Sequence, residues 1–87
     1  MIGAVTLEFE EIIQNFVDDI YKGCATQPIV KFNRAVLGYD NNHTLYEYYV
    51  YFREEVHDII SLLWNISERK VEGINSYRGG YKNDCNI

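Results

Sequence analysis

The stretch "TLYEYYVYFREEVHDII", residues 44–60, decides whether this chain is mainly helical or mainly extended. Its first half contains four tyrosines, one valine and one phenylalanine, which are residue types that favour β-strands. Its second half is rich in charged residues and is compatible with a helix. The two halves favour different secondary structures. The spacing of the apolar residues is the signal that distinguishes a helix from a strand here.

The spacing favours a helix. From Leu45 to Ile66, apolar or aromatic residues recur at alternating steps of four and three positions, which is the spacing of one helix face. Thr44 and Glu47 form the Ser/Thr-x-x-Glu pattern of a capping box, placed where such a helix would begin. Strict alternation of apolar and polar residues, as in a half-buried strand, is absent. The sequence therefore predicts one long helix over residues 45–72.

Two shorter helices complete the predicted fold. Apolar residues at helical spacing predict a first helix over residues 7–22. Pro28 suits the first turn of a second helix over residues 28–37. We therefore expect an all-α fold, a small bundle of three helices in a single domain spanning residues 1–87, with a flexible C-terminal tail over residues 74–87. The expected core consists of Phe16, Phe32, Phe52, Val56, Ile59 and Leu63.

Charge and targeting features narrow the class of protein. The net charge of −5 and the calculated pI of about 4.8 disfavour direct binding to nucleic acid, which normally requires a basic surface. Residues 1–5 lack the basic start of a secretion signal, and no run approaches the roughly 18 apolar residues of a membrane span. A cytoplasmic location is expected. Cys24 and Cys85 then fit free thiols, although a disulfide that ties down the tail is also compatible with the sequence.

Candidate catalytic groups are isolated from the partners that their chemistry needs. Glu54 and His57 form one Glu-x-x-His pair, whereas di-metal helical bundles require two such pairs and two further glutamates. Arg53 lies one helical turn from His57, where pairing with nearby acids is the simpler role. Cys24 has no motif that links it to a histidine. The sequence therefore predicts a non-enzymatic protein with no metal site and no cofactor.

Aromatic crowding is the feature that points to a function. One long helix cannot bury all of its tyrosines against two short neighbours, and tyrosine and tryptophan are enriched where proteins contact each other. We therefore predict a protein partner. It is contacted by residues of the long helix that lie outside its main apolar face, and by the tail. The predicted partner-binding residues are Tyr46, Val50, Tyr51, Trp64, Tyr77, Arg78 and Tyr81.

Two segments resemble the immunity proteins of pediocin-like (class IIa) bacteriocins. They are "PIVKFNRAV" at residues 28–36 and "GINSYRGGY" at residues 73–81. The resemblance implies a cytosolic antiparallel helical bundle that protects a bacteriocin producer by binding the toxin-engaged sugar-transport receptor. It also implies that tail residues contribute to specificity, and those of this sequence are Ile74, Asn75, Tyr77, Arg78 and Tyr81.

The expected function is accordingly to bind another protein and to neutralise or modulate it, as an immunity protein or a phage-type inhibitor of host defence does. Two alternatives belong to other classes. One is a structural homodimer formed through the long helix, and the other is an acidic decoy that mimics nucleic acid. Surface aromatics favour the first function over the decoy, which would need ordered rows of carboxylates.

Overall fold

The computed structural model describes residues 2–24 and 26–78, with side chains from Phe9 onward. One helix, α1 (Ile2–Ile20), precedes four strands. The strands are β1 (Ile29–Asp40), β2 (His43–Phe52), β3 (Glu55–Asn65) and β4 (Lys70–Ser76). They form one antiparallel sheet in the order β1-β2-β3-β4, so each strand pairs with the next one along the chain.

The predicted all-α fold is wrong, and the chain is not a helical bundle. The first predicted helix, residues 7–22, overlaps α1, which ends at Ile20. Residues 29–37 of the second predicted helix instead belong to β1. The predicted long helix over residues 45–72 is divided among β2, β3 and β4. Residues 74–76, predicted to begin the tail, belong to β4, and residues 79–87 lie outside the described part of the chain.

The error has a physical origin in the two faces of β2. Residues that point to α1, such as Tyr48 and Val50, alternate with residues that point away from it, such as Tyr49 and Tyr51. Both sets are apolar or aromatic, so the period-two alternation of a half-buried strand disappears from the sequence. A stretch that is apolar at nearly every position also matches a helical spacing. Thr44, assigned to a helix cap, is a buried residue of β2.

α1 packs on one face of the sheet, which we call the inner face. Phe9, Ile13, Val17 and Tyr21 follow one another at four-residue spacing and are all buried. The ring of Phe9 contacts Tyr46 and Trp64 edge-on, with centroid distances of 4.8 and 5.0 Å. The sheet contributes four buried side chains to this core, namely Tyr48, Val50, Ile60 and Leu62. Burial raises the pKa of Tyr48 to about 12, and the nearby Glu10 adds to the shift.

The predicted core was only partly correct. Phe16 and Phe52 pack against the core cluster. Phe32 and Val56 are instead 54% and 46% exposed. Ile59 and Leu63 alternate with the buried Ile60 and Leu62, so they lie on the face that α1 does not cover.

Of the two alternatives that the sequence left open for its cysteines, the disulfide applies to Cys24, which is buried and disulfide-bonded. The second cysteine of the sequence, Cys85, lies outside the described residues.

A buried carboxylate fixes the end of β4. Asp58 is 2% exposed, and its Oδ1 accepts hydrogen bonds from the backbone N–H groups of Ile59, at 2.7 Å, and Arg78, at 2.9 Å. The Ser76 hydroxyl donates to Oδ2. These donors compensate the loss of hydration of the carboxylate. Because Ser76 points inward to Asp58, the next residue, Tyr77, points to the uncovered face.

The turn between β2 and β3 carries backbone strain. Phe52 pairs with Glu55, so Arg53 and Glu54 alone connect the strands. Their φ angles are 50° and 68°, which is the left-handed region that a two-residue type I′ hairpin requires at both positions. Asparagine and glycine occupy such turns at lower cost than arginine and glutamate do.

Replacing Glu54 with glycine should therefore stabilise the protein by about 1 kcal/mol, since glycine adopts positive φ without the steric penalty of a Cβ atom. Urea denaturation measures the change. Glu55→Gly is the matched control, because it removes the same side chain from the first residue of β3 and should destabilise the sheet. Destabilisation by Glu54→Gly would contradict the turn assignment.

Two neighbouring leucines test the orientation of β3. Leu62 is fully buried under α1, so Leu62→Ala should cost about 2–5 kcal/mol. Leu63 points to the uncovered face, so Leu63→Ala should cost less than about 1 kcal/mol in the monomer. Both values come from thermal or urea denaturation at low protein concentration. Equal losses of stability, or a larger loss for Leu63→Ala, would contradict the orientation of β3.

Candidate protein-binding face

The face of the sheet opposite α1, which we call the outer face, is the candidate site. It is formed by every second residue of the strands, beginning in β2 with Leu45, Glu47, Tyr49 and Tyr51. Strand pairing places Leu45 beside Leu63 and Tyr49 beside Ile59. The half-buried apolar and aromatic members of the outer face are Val36, Leu45, Tyr49, Tyr51, Ile59 and Leu63. The more exposed Ile29 and Val56 pair with Tyr51 at one end.

These side chains are half-buried by their neighbours in the sheet rather than by another layer. None of the six belongs to the core cluster or to the apolar side chains packed against it. Within the described ranges, α1 is the one helix, and it lies on the inner face. An antiparallel sheet that faces water normally presents polar residues there, whereas the outer face presents mostly apolar ones.

Aromatic and charged groups surround the apolar rows. The rings of Tyr49 and Tyr51 contact each other edge-on at a centroid distance of 6.0 Å. The Lys31 ammonium lies 5.6 Å from the Tyr51 ring centroid, within the range of a cation–π interaction. Between the leucine row and the tyrosine row, Arg34 Nε donates to Glu47 Oε1 at 2.6 Å. The outer face therefore combines apolar contact area with a few charges that give it direction.

Gly73 leaves a shallow depression beside Leu63. It lies opposite Leu63 in β4, and a Cβ atom at Gly73 would meet no other atom within 4 Å. Its φ angle is not positive, unlike those of Gly23 and Gly38. Neither backbone conformation nor internal packing therefore requires glycine here, although glycine in a strand costs stability. Such a glycine often marks the close approach of another molecule.

A charged cluster ends the outer face at the β1–β2 turn. His43 Nδ1 lies 2.8 Å from Asp40 Oδ1, and His43 Nε2 lies 2.8 Å from Glu72 Oε2. Asn65 donates from Nδ2 to the same Glu72 oxygen at 3.2 Å. The protonated imidazole can donate to both carboxylates at once, so the cluster favours the charged form of His43.

The protonation equilibria of the cluster follow from these contacts. Hydrogen bonds with Glu72 and then with Asp40 raise the pKa of His43. The backbone N–H of Asn42 and then His43 lower the pKa of Asp40. His43 and then the Asn65 amide lower the pKa of Glu72.

A pocket of about 340 Å³ lies at the opposite end, beside the β2–β3 turn. Its lining includes Arg53, His57 and Arg78 together with Glu55 and the apolar Phe52. The register shift between Val50 and Tyr51 makes His57 the extra residue of β3. The His57 ring stacks edge-on against Phe52 at 5.1 Å and Tyr21 at 5.8 Å, so its environment is that of a packing residue.

The structure separates the residues that the sequence grouped as partner-binding. Val50 is fully buried under α1, and Tyr46 and Trp64 pack against Phe9 on the inner face. These three residues do not contribute to the outer face.

The other predicted residues have different places. Tyr51 lies on the outer face, and Tyr77, which is 83% exposed, lies at its β4 margin. Arg78 lines the pocket at the β2–β3 turn. Tyr81, predicted with them, lies outside the described residues.

The sequence did not identify four residues of the outer face, because all four were predicted to lie on the buried apolar face of a helix. They are Leu45, Tyr49, Ile59 and Leu63. The signal that identifies them is the strand propensity of residues 44–52, bounded by the asparagine-containing turn at residues 41–42. With a strand assigned there, odd and even positions separate into two apolar faces, and one helix can cover only one of them.

Comparisons with protein-family models, with curated proteins and with solved structures found no match to this chain. The resemblance to bacteriocin immunity proteins therefore remains a prediction, and the helical bundle that it implies is not the fold observed. Within residues 2–24 and 26–78, no three or more His, Cys, Asp or Glu side chains are arranged to hold a metal ion. In those same ranges, no helix is long and apolar enough to cross a membrane.

The histidine cluster predicts a pH dependence of stability. Because the pKa of His43 is raised, its contribution is complete below about pH 6.5, the ordinary pKa of histidine, and is lost as the pH rises through the folded-state pKa. The lowered pKa values of Asp40 and Glu72 act in the opposite direction. Their contributions are complete above about pH 4.5 and are lost as the pH falls through the folded-state values.

The cluster should therefore be most stabilising between about pH 4.5 and 6.5. Urea denaturation of the wild type and of His43→Gln across pH 4–8 measures this contribution. The stability difference between the two proteins should shrink above pH 6.5. A difference that is constant with pH would show that His43 is not held by the two carboxylates.

Proposed function

We propose that this protein is a non-enzymatic binding module that docks another protein chain on its outer face. The observation that carries the proposal is the apolar character of the outer face, which α1 leaves uncovered. Leu45 and Leu63 form one apolar row across the central strands β2 and β3, and Tyr49 and Ile59 form a second. A polar row that contains Glu47 and Ser61 lies between them. Apolar rows interleaved with polar side chains in this way are typical of a protein interface, and uncovered apolar surface is a liability for aggregation when nothing binds it.

The charges of the outer face favour protein over nucleic acid as the partner. Among the described strand residues, its lysine and arginine cations are Lys31, Arg34 and Lys70. Arg34 already pairs with Glu47, and Lys70 already pairs with Glu68. Binding to a nucleic acid backbone needs several unpaired cations that neutralise phosphates. The decoy function is not favoured either, because Glu47 is the one carboxylate that the described strands place between the leucine and tyrosine rows. A homodimer through a long helix cannot form, since residues 45–72 do not form a helix.

The sequence suggested that docking neutralises or modulates the partner. That effect on the partner stays a prediction. The same holds for the cytoplasmic location. The disulfide at Cys24 weighs against a reducing compartment, where cysteines normally remain thiols. Thiol titration of the protein isolated without reductant, after denaturation, tests the location. Two free thiols would favour the cytoplasm, and none would favour an oxidising compartment.

Site-specific photocrosslinking tests the proposed function. A photoreactive benzoylphenylalanine replaces Tyr49 on the outer face, and the protein is irradiated in the cells that produce it. The expected result is a crosslink to a protein chain, identified by mass spectrometry, whether that chain is another protein or another copy of this one. Replacement of Ile66, which is exposed in the β3–β4 turn and off the outer face, is the control. Equal crosslinking at both positions, or none at Tyr49, would refute the proposal.

A further inference from the structure

We infer that the chain docked on the outer face is a second copy of this protein, stacked face to face about a two-fold axis that runs across the strands. The inference rests on the function proposed above, because it names the partner of the same surface. In this arrangement β1 lies over β1 and β4 over β4, with the strand direction reversed. Two features of the outer face support it, its size and the order of its rows, and the distribution of its charges is compatible with it.

The outer face has the size that a stable dimer needs. Four strands spaced about 4.8 Å apart give a width of about 19 Å, and the eight steps from His43 to Tyr51 at about 3.4 Å each give a length of about 27 Å. The footprint is then about 500 Å² on each copy, or about 1,000 Å² on both, which is where specific interfaces begin. Packing of two such sheets gives a sandwich, the common way to cover an antiparallel sheet on both sides.

The rows of the outer face are complementary about its centre. Glu47 lies midway along the outer-face positions of β2, with Leu45 on one side and Tyr49 on the other. A two-fold axis at Glu47 places the Leu45 and Leu63 row of one copy on the Tyr49 and Ile59 row of the other. The two leucines of one copy then pack on the tyrosine and the isoleucine of the other. This contact occurs twice, once on each side of the axis.

The same axis gives Gly73 and Tyr77 a role. Gly73 pairs with Leu63 in the leucine row. Tyr77 lies in the tyrosine row, since its backbone N–H donates to the Ile59 carbonyl at 3.0 Å. Reversal of β4 over β4 therefore sets the exposed Tyr77 ring of one copy over the depression at Gly73 of the other. This contact explains a glycine that the monomer itself does not need.

Charges on β1 are compatible with the reversed orientation. Asp40 lies at the His43 end of the outer face, and Lys31 lies one outer-face position from the Tyr51 end. Both belong to β1. Reversing β1 over β1 brings Lys31 within reach of Asp40 of the second copy. The axis also brings the two Glu47 carboxylates together, and each is paired with Arg34 of its own copy at 2.6 Å.

Sedimentation equilibrium tests the inference on the full chain. The monomer has a mass of 10.2 kDa, and the wild type should sediment with about twice that mass as its concentration rises. Gly73→Val should fold at least as stably as the wild type, since a Cβ atom at this position meets open space and valine favours a strand, yet should weaken dimerisation by about tenfold or more. Tyr77→Ala should weaken it similarly.

Matched controls separate the outer face from general surface effects. Tyr39→Ala removes another exposed tyrosine, in the irregular part of β1, and should leave the dimer unchanged. Lys31→Glu should weaken the dimer by placing an acid near Asp40. Lys22→Glu, in the turn that follows α1, makes the same charge change without this effect.

A wild type that remains a monomer at all concentrations would overturn the inference, as would a dimer that Gly73→Val and Tyr77→Ala leave intact. The proposed function fails differently. If the protein is a monomer and Tyr49 crosslinks to a different protein, the binding function stands and only the second copy is excluded. If Tyr49 crosslinks to nothing as well, both proposals fall.

Discussion

A single helix can cover only one face of a sheet, and this constraint governs the rest of the molecule. α1 places Phe9, Ile13, Val17 and Tyr21 along one line, and that line is long enough to cover the inner face of β2 and β3. The outer face has no corresponding layer in the described part of the chain. β2 and β3 carry apolar side chains on both faces. The fold buries those on the inner face and leaves those on the outer face available for docking.

The helix α1 could be predicted from the sequence because one side of it is polar. The alternation of polar and apolar residues then shows the helical period. Ile12, Phe16 and Ile20 join the buried line at helical spacing, with acids and glutamine between them. Residues 44–66 could not be predicted in the same way, because two-sided strands lose the polar positions that reveal a period of two. Their local strand propensity was the better guide, since it depends on residue type and not on spacing.

The candidate site was predictable in kind but not in position. The excess of aromatic residues in the sequence indicates a docking surface, and Tyr51 and Tyr77 belong to the surface observed. Val50 was assigned to the same surface and is fully buried, while Leu63 was assigned to the core and faces outward. A change from helix to strand exchanges neighbouring residues between core and surface, so an error in secondary structure becomes an error in the site.

Neighbouring residues of β2 and β3 lie on opposite sides of the sheet, one side covered by α1 and the other open, and the proposed docking function depends on this division. Hydroxyl-radical footprinting of the dilute protein tests it most directly, because the chain supplies neighbouring pairs of the same residue type. Tyr49 and Leu63 should be oxidised much faster than Tyr48 and Leu62, which are buried. Equal oxidation within each pair, or faster oxidation of Tyr48 and Leu62, would contradict the division.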